Sequence, residues 1–204
     1  MAFWHRVTDK PWEHAGETDG PHGGFTVTQS PKRVALRVFL AVVTSVFFLL
    51  FVAYRIRMEY PDWRPLPLPS TLWFNTALLV LASVVMQWTR SQAGHDRTGS
   101  LRWGMVISGL LTLGFLCGQL VAWSQLKEAG YGLRSNPSSA FFYLLTAVHG
   151  LHVIGGLWVW LRATARAFGK DGAEAVQTSV QLCATYWHFV DAVWIYLFVV
   201  LFVV

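Results

Sequence analysis

Five long apolar segments constrain the fold of this chain more than any other feature of its sequence. Each segment is long enough to cross about 30 Å of bilayer hydrocarbon at a helical rise of about 1.5 Å per residue. We therefore predict an all-α, polytopic membrane protein with five transmembrane helices. The spans are near residues 33–54, 71–89, 102–124, 138–161 and 176–204.

The composition supports this class. Hydrophobic residues make up 54% of the chain and charged residues only 13%, whereas charged residues are about a quarter of a soluble domain. The two cysteines, Cys117 and Cys183, both fall within predicted spans. A cysteine there is usually a small apolar residue, so the pair does not indicate a disulfide framework.

The sequence divides into a polar tail, residues 1–32, and a five-helix membrane domain, residues 33–204. The tail is rich in Gly, His and Asp, and no apolar core precedes the first span, so we expect no cleavable signal peptide. It has too few aliphatic residues to offset the entropy cost of folding by itself. We expect another chain to hold it through Phe3, Trp4 and Trp12.

The distribution of Lys and Arg predicts the orientation. Of the 16 Lys and Arg residues, eleven lie in the tail, the start of the first span, and the second and fourth loops. The other five lie in the first and third loops. By the positive-inside rule the N-terminus is cytoplasmic and the C-terminus periplasmic. Topology thus explains the net charge of +5, and no basic stripe outside the membrane flanks indicates a nucleic-acid partner.

The first loop alternates proline with other residues from Pro61 to Pro69. Proline fixes φ and favours an extended, polyproline-like path, so we expect this loop to follow the outer surface. Trp63 is predicted to anchor the loop at the membrane interface.

The fifth span carries a histidine and an aspartate inside an otherwise apolar helix. A carboxylate in hydrocarbon costs about 2.5–3.5 kcal/mol on insertion scales, so such residues face a bundle interior and have a partner or a role. His188 and Asp191 are one helical turn apart and are predicted to share a proton or a hydrogen bond. Trp187 and Trp194 lie on the same face as Asp191, where their indole N–H groups can donate.

The fourth span carries two more histidines. His149 lies near its midpoint, and His152 is one turn nearer the cytoplasm, at a depth similar to that of His188. Glycines near these histidines, and a Gly-x-x-x-Gly pair in the third span, indicate positions where a neighbouring helix or a lipid chain approaches the backbone closely. They are Gly150, Gly155 and Gly156 in the fourth span and Gly114 and Gly118 in the third.

The residues leave three interpretations of His149, His152, His188 and Asp191 open. A haem or copper site needs imidazoles that converge on one metal, and the available cross pair is His152 with His188. A proton path is the second interpretation, because His and Asp inside membranes mark relays. The third is structural: buried imidazoles form hydrogen bonds across helices and stabilise one packing arrangement by about 1 kcal/mol each. The residues alone favour the structural interpretation.

Two motifs dominate the fourth and fifth spans. They are Phe142-Tyr143-x-Leu145-Thr146-x-x-His149-Gly150-x-His152-Val153-x-x-Gly156 and Tyr186-Trp187-His188-Phe189-Val190-Asp191-x-Val193-Trp194. In order and spacing they closely resemble the signatures of subunit III of haem–copper respiratory oxidases. The resemblance extends over about residues 33–204, with a first span and proline loop like those of bacterial five-helix members, and does not cover the tail. Larger members have two additional N-terminal helices that enclose a lipid-filled cleft.

One position departs from the family pattern. The family commonly places a glutamate one turn before paired phenylalanines, and here Thr44 precedes Phe47 and Phe48. A carboxylate-based role therefore does not transfer to this chain. We expect the Thr44 hydroxyl to bond to the backbone of its own helix.

The resemblance implies a subunit that binds no redox cofactor and has no active site of its own. It would pack beside subunit II and the catalytic subunit I, which holds haem and copper and reduces O₂ to water while pumping protons, in a bacterial inner (plasma) membrane. Bound phospholipid is expected. A buried polar and lipid-contacting network would comprise His149, His152, Trp187, His188 and Asp191, with Thr44.

Three other functions stay open from the sequence. The chain could be subunit III of a quinol oxidase, because the electron donor binds elsewhere in the complex. It could be an accessory subunit of nitric oxide reductase. From a different class, it could be a small membrane cytochrome that uses its histidines as haem ligands.

Overall fold

The computed structural model describes residues 31–92, 98–169 and 172–203. Five helices in these ranges are long and apolar enough to cross a membrane, and no strand forms within them. The helices are α1 (Pro31–Met58), α2 (Thr71–Gln92), α3 (Thr98–Glu128), α4 (Pro137–Phe168) and α5 (Ala173–Val203). The prediction of an all-α protein with five membrane-spanning helices is confirmed. The contacts predicted for Phe3, Trp4 and Trp12 lie outside the described residues.

The helix ends differ from the predicted span ends because helical structure continues past the apolar segments. α4 ends at Phe168 rather than near residue 161, since residues 161–168 contain no glycine or proline and the first glycine after them is Gly169. The Gly169 N–H then donates to the Ala165 carbonyl at 2.9 Å. At the other end Asn136 caps the helix, its side chain accepting from the backbone N–H of Ser138 at 3.1 Å.

Four of the helices form a closed ring. α2 packs against α3, α3 against α4, α4 against α5 and α5 against α2, and the α2–α3 contact is the most extensive. α1 lies outside this ring and contacts α4 and α5. Most buried apolar side chains form one cluster within the ring, and a smaller cluster around Val43 and Phe47 joins α1 to Leu145 and Leu197.

Glycines on α3 allow close contacts with both neighbouring helices. A Cβ atom at Gly118 would lie 2.0 Å from the amide oxygen of Asn75 on α2, and one at Gly109 would lie 2.1 Å from the Trp160 ring on α4. A Cβ atom at Gly114 would lie 3.6 Å from the Leu78 side chain, an ordinary van der Waals distance. A Cβ atom at Gly104 would lie 2.0 Å from the Thr89 hydroxyl of α2, so close packing on α3 involves Gly104, Gly109 and Gly118.

The three glycines of α4 differ in their surroundings. A Cβ atom at Gly156 would lie 2.6 Å from the Tyr186 ring of α5. Nothing in the described chain lies within 4 Å of such an atom at Gly150 or Gly155. Neither of these two glycines packs closely against another described helix of this bundle.

The proline loop between α1 and α2 is attached to the start of α4. The Arg64 carbonyl accepts hydrogen bonds from the Asn136 side chain at 3.1 Å and from the Ser138 hydroxyl at 2.6 Å. Trp63, predicted as an interface anchor, is half-buried, with its ring 5.2 Å from that of Tyr54 and 6.5 Å from that of Phe141. The loop thus closes one end of the bundle.

Candidate functional site

Three tryptophan–threonine hydrogen bonds connect the helices of the ring. In each, an indole N–H donates to a threonine hydroxyl on another helix. The pairs are Trp187 with Thr112 (3.3 Å), Trp194 with Thr76 (3.0 Å) and Trp123 with Thr146 (3.1 Å). Every one of these hydroxyls also donates to the carbonyl four residues earlier in its own helix, at 2.7 to 2.9 Å. The indole and hydroxyl groups are therefore satisfied inside the bundle.

The His188 imidazole is bonded at both nitrogens to α2. Its Nδ1 lies 2.6 Å from the Ser83 hydroxyl, and its Nε2 lies 2.9 Å from Oε1 of Gln87. An amide oxygen accepts but does not donate, so Nε2 carries the hydrogen and, in the neutral ring, Nδ1 accepts from Ser83.

The predicted direct hydrogen bond between His188 and Asp191 is therefore wrong. The two residues do share a helix face, but that face meets α2, where Ser83 and Gln87 are also one turn apart and occupy both ring nitrogens. Spacing along α5 could not reveal this, because the partners belong to another helix. The signal that the sequence did offer was the polar pair Ser83 and Gln87 on one face of the second span.

Asp191 is buried, with 8% of its surface exposed. Its Oδ1 atom has no hydrogen-bond partner within the described residues.

His149 is enclosed by aromatic rings. Its ring centroid lies 5.0 Å from that of Trp194, 5.9 Å from that of Phe115 and 6.4 Å from that of Phe47. Only 1% of its surface is exposed, and neither ring nitrogen has a hydrogen-bond partner in the part of the chain that is described. His149 packs as an aromatic side chain where α1, α3 and α5 meet α4.

His152 bonds within its own helix, its Nδ1 lying 2.7 Å from the Val148 carbonyl. The Phe47 ring covers it at 5.4 Å, and its own carbonyl accepts from the Tyr186 hydroxyl at 2.8 Å. His152 and His188 are thus directed to different partners. His149 and His152 both contact the Phe47 ring, whereas His188 is bonded to α2.

Comparison with known proteins identifies the family. The family model for cytochrome c oxidase subunit III matches residues 19–204. The chain belongs to the cytochrome c oxidase subunit III family. The resemblance seen in the two motifs is confirmed, and the match begins at residue 19, so it covers part of the tail that the motif resemblance left out.

Several curated relatives carry the same name. Cytochrome c oxidase subunit 3 of Synechocystis sp. is 33% identical over 201 residues, which cover 92% of this chain and 80% of the relative. That of Thermostichus vulcanus is 33% identical over 175 residues, covering 83% and 86%. The probable cytochrome c oxidase subunit 3 of Mycobacterium tuberculosis is 33% identical over 144 residues, covering 69% and 71%.

As a subunit III, this chain is an accessory subunit of a haem–copper oxidase and a multi-pass membrane protein. The three described histidines, His149, His152 and His188, do not fit a haem site within this chain. Both nitrogens of His188 are bonded to α2, which removes the cross pair with His152 that a haem would need. No group of three or more His, Cys, Asp or Glu that could hold a metal ion occurs among the described residues.

Thr44 occupies the position where the family commonly has glutamate. Its hydroxyl donates to the Leu40 carbonyl of the same helix at 2.8 Å, and the side chain is exposed on α1. The expected bond to its own backbone is confirmed, and Thr44 has no part in the ring. One turn later, buried Phe47 packs against both His149 and His152.

A basic groove lies where the start of α1 meets the joined ends of α4 and α5. It has a volume of about 600 Å³, and its charged lining residues are Lys32, Arg162, Arg166 and Glu174. Val159 and Leu182 provide apolar surface in the same groove. The Arg166 guanidinium donates to the Ser179 hydroxyl at 2.8 Å, which fixes one of its positive charges in place.

Proposed function

We propose that this chain is the cofactor-free subunit III of a bacterial cytochrome c oxidase in the inner membrane, and that it stabilises the catalytic subunit and its proton supply. Subunits I and II would be its partners, and subunit I would hold the haem and copper. One observation carries the proposal. Among the described residues, the tryptophan, threonine and His188 side chains of the ring bond one helix to another and do not converge on a reaction centre.

The outward surface supports a role in assembly. All five helices expose large apolar side chains, such as Leu49, Phe74, Leu110, Leu151 and Val199. A surface of this kind has to be covered by lipid or by another membrane subunit. The buried network of His149, His152, Trp187, His188 and Asp191 would maintain the shape of that surface. Any effect of the network on proton uptake by the catalytic subunit would be indirect.

Removal of the subunit tests this role. Oxidase purified without this chain should start at a substantial rate and lose activity over repeated turnovers, and adding the chain back should slow that loss. The control is co-purification of the full-length chain with a subunit that contains haem and copper. An initial rate of zero in the depleted complex would contradict a supporting role.

We propose that the N-terminus is cytoplasmic and the C-terminus periplasmic. The groove residues Lys32, Arg162 and Arg166 gather positive charge at one end of the bundle. At the other end Arg57 forms a bidentate salt bridge with Asp62, which neutralises its charge. The pKa of Asp62 lies below its usual value because the Arg57 guanidinium bonds to the carboxylate. The positive-inside rule counts Lys and Arg residues whether or not a carboxylate lies near them, and among the described residues they are more numerous at the groove end of the bundle than at the Arg57 end.

The basic groove is our proposed site for an anionic phospholipid headgroup. Its cationic side chains suit a phosphate, and Val159 and Leu182 suit the start of an acyl chain. Native mass spectrometry of the purified complex should show less retained phosphatidylglycerol in an Arg162→Gln, Arg166→Gln double variant. Arg134→Gln, in an exposed loop outside the groove, is the matched control. Equal retention in both variants would remove this site from the proposal.

Residues 1–32 are proposed to form a cytoplasmic tail held by another chain, next to the membrane domain of residues 33–204. The family match from residue 19 supports a shared role for the second part of the tail. Limited proteolysis tests it. Protection in the complex with rapid cleavage in the isolated subunit is expected, and equal cleavage in both would contradict docking.

A further inference from the structure

A second groove, the aromatic groove, lies between α3 and α4 at the end of the bundle opposite the basic groove. It has a volume of about 330 Å³ and is formed by the last turns of α3, the α3–α4 loop and the first two turns of α4. Its lining residues are Trp123, Ser124, Lys127, Gly132, Leu133 and Tyr143. Because the membrane-spanning helix α3 ends at Glu128, the aromatic groove lies at a membrane boundary.

Two aromatic rings form rigid walls of this groove. The Trp123 and Tyr143 rings lie 5.6 Å apart in a T-shaped arrangement. Their polar atoms are already bonded within the chain. The Trp123 N–H donates to the Thr146 hydroxyl at 3.1 Å, and the Tyr143 hydroxyl donates to the Tyr131 carbonyl at 3.1 Å. The rings therefore offer apolar surface to an occupant, at the depth where membrane proteins favour Trp and Tyr.

Donors for an anionic group lie at the loop end of the groove. Lys127 supplies one positive charge. The Gly132 carbonyl accepts from the hydroxyls of Ser135 at 2.8 Å and Ser139 at 3.0 Å. In a trans peptide the N–H points away from the preceding C=O, so the Leu133 N–H points away from these hydroxyls and can donate to an occupant. An ammonium and a backbone N–H together suit one phosphate group.

The charges at this site are balanced. Glu128, exposed in the same last turn of α3, adds one negative charge next to Lys127 in the chain. In the basic groove, by contrast, three of the four charged lining residues are positive. A headgroup that carries both a phosphate and a primary ammonium group can bond to Lys127 through the first and to Glu128 through the second. The aromatic groove therefore suits a zwitterionic headgroup better than an anionic one.

Open space continues from the groove along α4 toward the membrane interior. Gly150 follows Tyr143 by two helical turns, about 10.5 Å, on the same face of the helix. Nothing in the described chain lies within 4 Å of a Cβ atom at Gly150. Gly155 is equally open but faces about 120° away around the helix. An acyl chain that begins beside Tyr143 can thus follow α4 over Gly150 without meeting a side chain of this bundle.

We propose that the aromatic groove is a binding site for a zwitterionic phospholipid, phosphatidylethanolamine. Its phosphate bonds to Lys127 and to the Leu133 N–H, and its ammonium group pairs with Glu128. One acyl chain runs past Tyr143 and over Gly150. In the orientation proposed above, this lipid belongs to the periplasmic leaflet. The site needs only the groove and a membrane, so its test is independent of the role proposed for the subunit and of the basic groove.

Photolabelling of the intact oxidase complex tests the site. The complex is held in a maltoside detergent, which carries no phosphate, and receives phosphatidylethanolamine with a photoactivatable group on one acyl chain. We expect labelled peptides from within residues 120–150. Unlabelled phosphatidylethanolamine should compete better than phosphatidylglycerol. Labelling confined to peptides outside this range would overturn the site, and equal or better competition by phosphatidylglycerol would overturn the choice of a zwitterionic headgroup.

Lys127→Gln tests the headgroup contact. The lipid concentration needed for half-maximal labelling should rise about fivefold, because one Lys beside a lipid headgroup contributes about 1 kcal/mol. Arg55→Gln, exposed at the same end of the bundle and outside the groove, is the matched control and should leave this concentration unchanged. Unchanged labelling in Lys127→Gln would overturn the phosphate contact.

Two glycines of α4 test the path of the acyl chain. Gly150→Leu places a side chain in the open space below Tyr143 and should weaken labelling at least as much as Lys127→Gln does. Gly155→Leu makes the same change in open space on another face of α4 and should have no effect. A free phosphate ion would depend on Lys127 and not on Gly150. Unchanged labelling in Gly150→Leu, or competition by inorganic phosphate at the concentration of the lipid, would therefore overturn a phospholipid as the occupant.

Discussion

The interactions that hold the four-helix ring together differ from those that attach α1 to it. Within the ring, indole, hydroxyl and imidazole groups form hydrogen bonds from one helix to another. On α1, Thr44 and Ser45 bond to carbonyls of their own helix, and the contacts with α4 and α5 are mainly apolar, with Phe47 at their centre. The exception lies at the start of α1, where Arg33 donates to Gln181 of α5 at 3.3 Å. In an apolar stretch of 18 residues, only 11% of the residues of α1 are buried, against 44% of those of α5. Hydrogen bonds therefore specify how the helices of the ring pack. The position of α1 depends instead on the fit of its apolar side chains and on the lipid or subunit that covers its outer face.

Gly109→Val should destabilise the ring more than any other change considered. The added Cβ would lie 2.1 Å from the Trp160 ring, and the Trp160 N–H is fixed by a bond to the Met105 carbonyl at 3.0 Å. We expect a loss of about 3 kcal/mol, at the upper end for overpacking, measured by thermal unfolding of the detergent-solubilised protein. Gly155→Val, which meets open space, is the control and should cost less than about 1 kcal/mol. Equal losses would contradict the packing described for α3.

Phe47→Ala should detach α1 and leave the ring intact. Phe47 is 4% exposed and packs against His149 and His152. Because lipid chains can fill part of the space, we expect a cost of about 2 kcal/mol, below the usual range for this truncation in a soluble core. Protease cleavage within residues 59–70 should increase while α2–α5 stay protected. The neighbouring Phe48, 61% exposed, provides the control: Phe48→Ala should leave cleavage unchanged.

Thr76→Val and Thr44→Val compare the two regions at nearly constant side-chain volume. Thr76→Val leaves the Trp194 indole without its acceptor and should cost about 1 kcal/mol. Thr44→Val removes a bond within α1 alone and should change stability by less than about 0.5 kcal/mol. The fluorescence of tryptophan during unfolding would report both. A larger effect at Thr44 would show that α1 has a polar contact of its own with a partner.

The Arg57–Asp62 salt bridge should produce the smallest effect, and that effect should depend on pH. The folded-state pKa of Asp62 lies below the ordinary Asp value of 3.8, so the stabilisation is present above that value and is lost as the pH falls through the lower, folded-state pKa. Asp62 is exposed, so solvent screens the interaction. Unfolding of the wild type and of Asp62→Asn, measured at neutral pH and under acid conditions, should differ only at neutral pH.

The number and type of elements could be predicted from the sequence because a membrane requires long apolar helices. The sequence could not predict which helix packs against which. His188 and Asp191 were correctly placed on one face, but Ser83 and Gln87, which bond to His188, lie about a hundred positions earlier in the chain. The acceptor threonines were missed for another reason. A threonine in a membrane helix usually bonds to its own backbone, so Thr76 and Thr112 give no sign in the sequence that they also accept an indole.

The shared hydroxyls of these threonines have a consequence for the alignment of the helices. Because each gives its hydrogen to its own backbone, it offers a neighbour nothing but lone pairs, and only a donor can dock there. Sliding α5 along α2 by one turn, about 5.4 Å, would bring the Trp194 N–H opposite Leu72 or Val80, which offer no acceptor. Trp187 makes a second bond of this kind at another level of α5, to Thr112 of α3. These bonds therefore fix the position of α5 along its own axis relative to its neighbours. A helix inserted in the wrong position would leave its indole N–H groups unpaired.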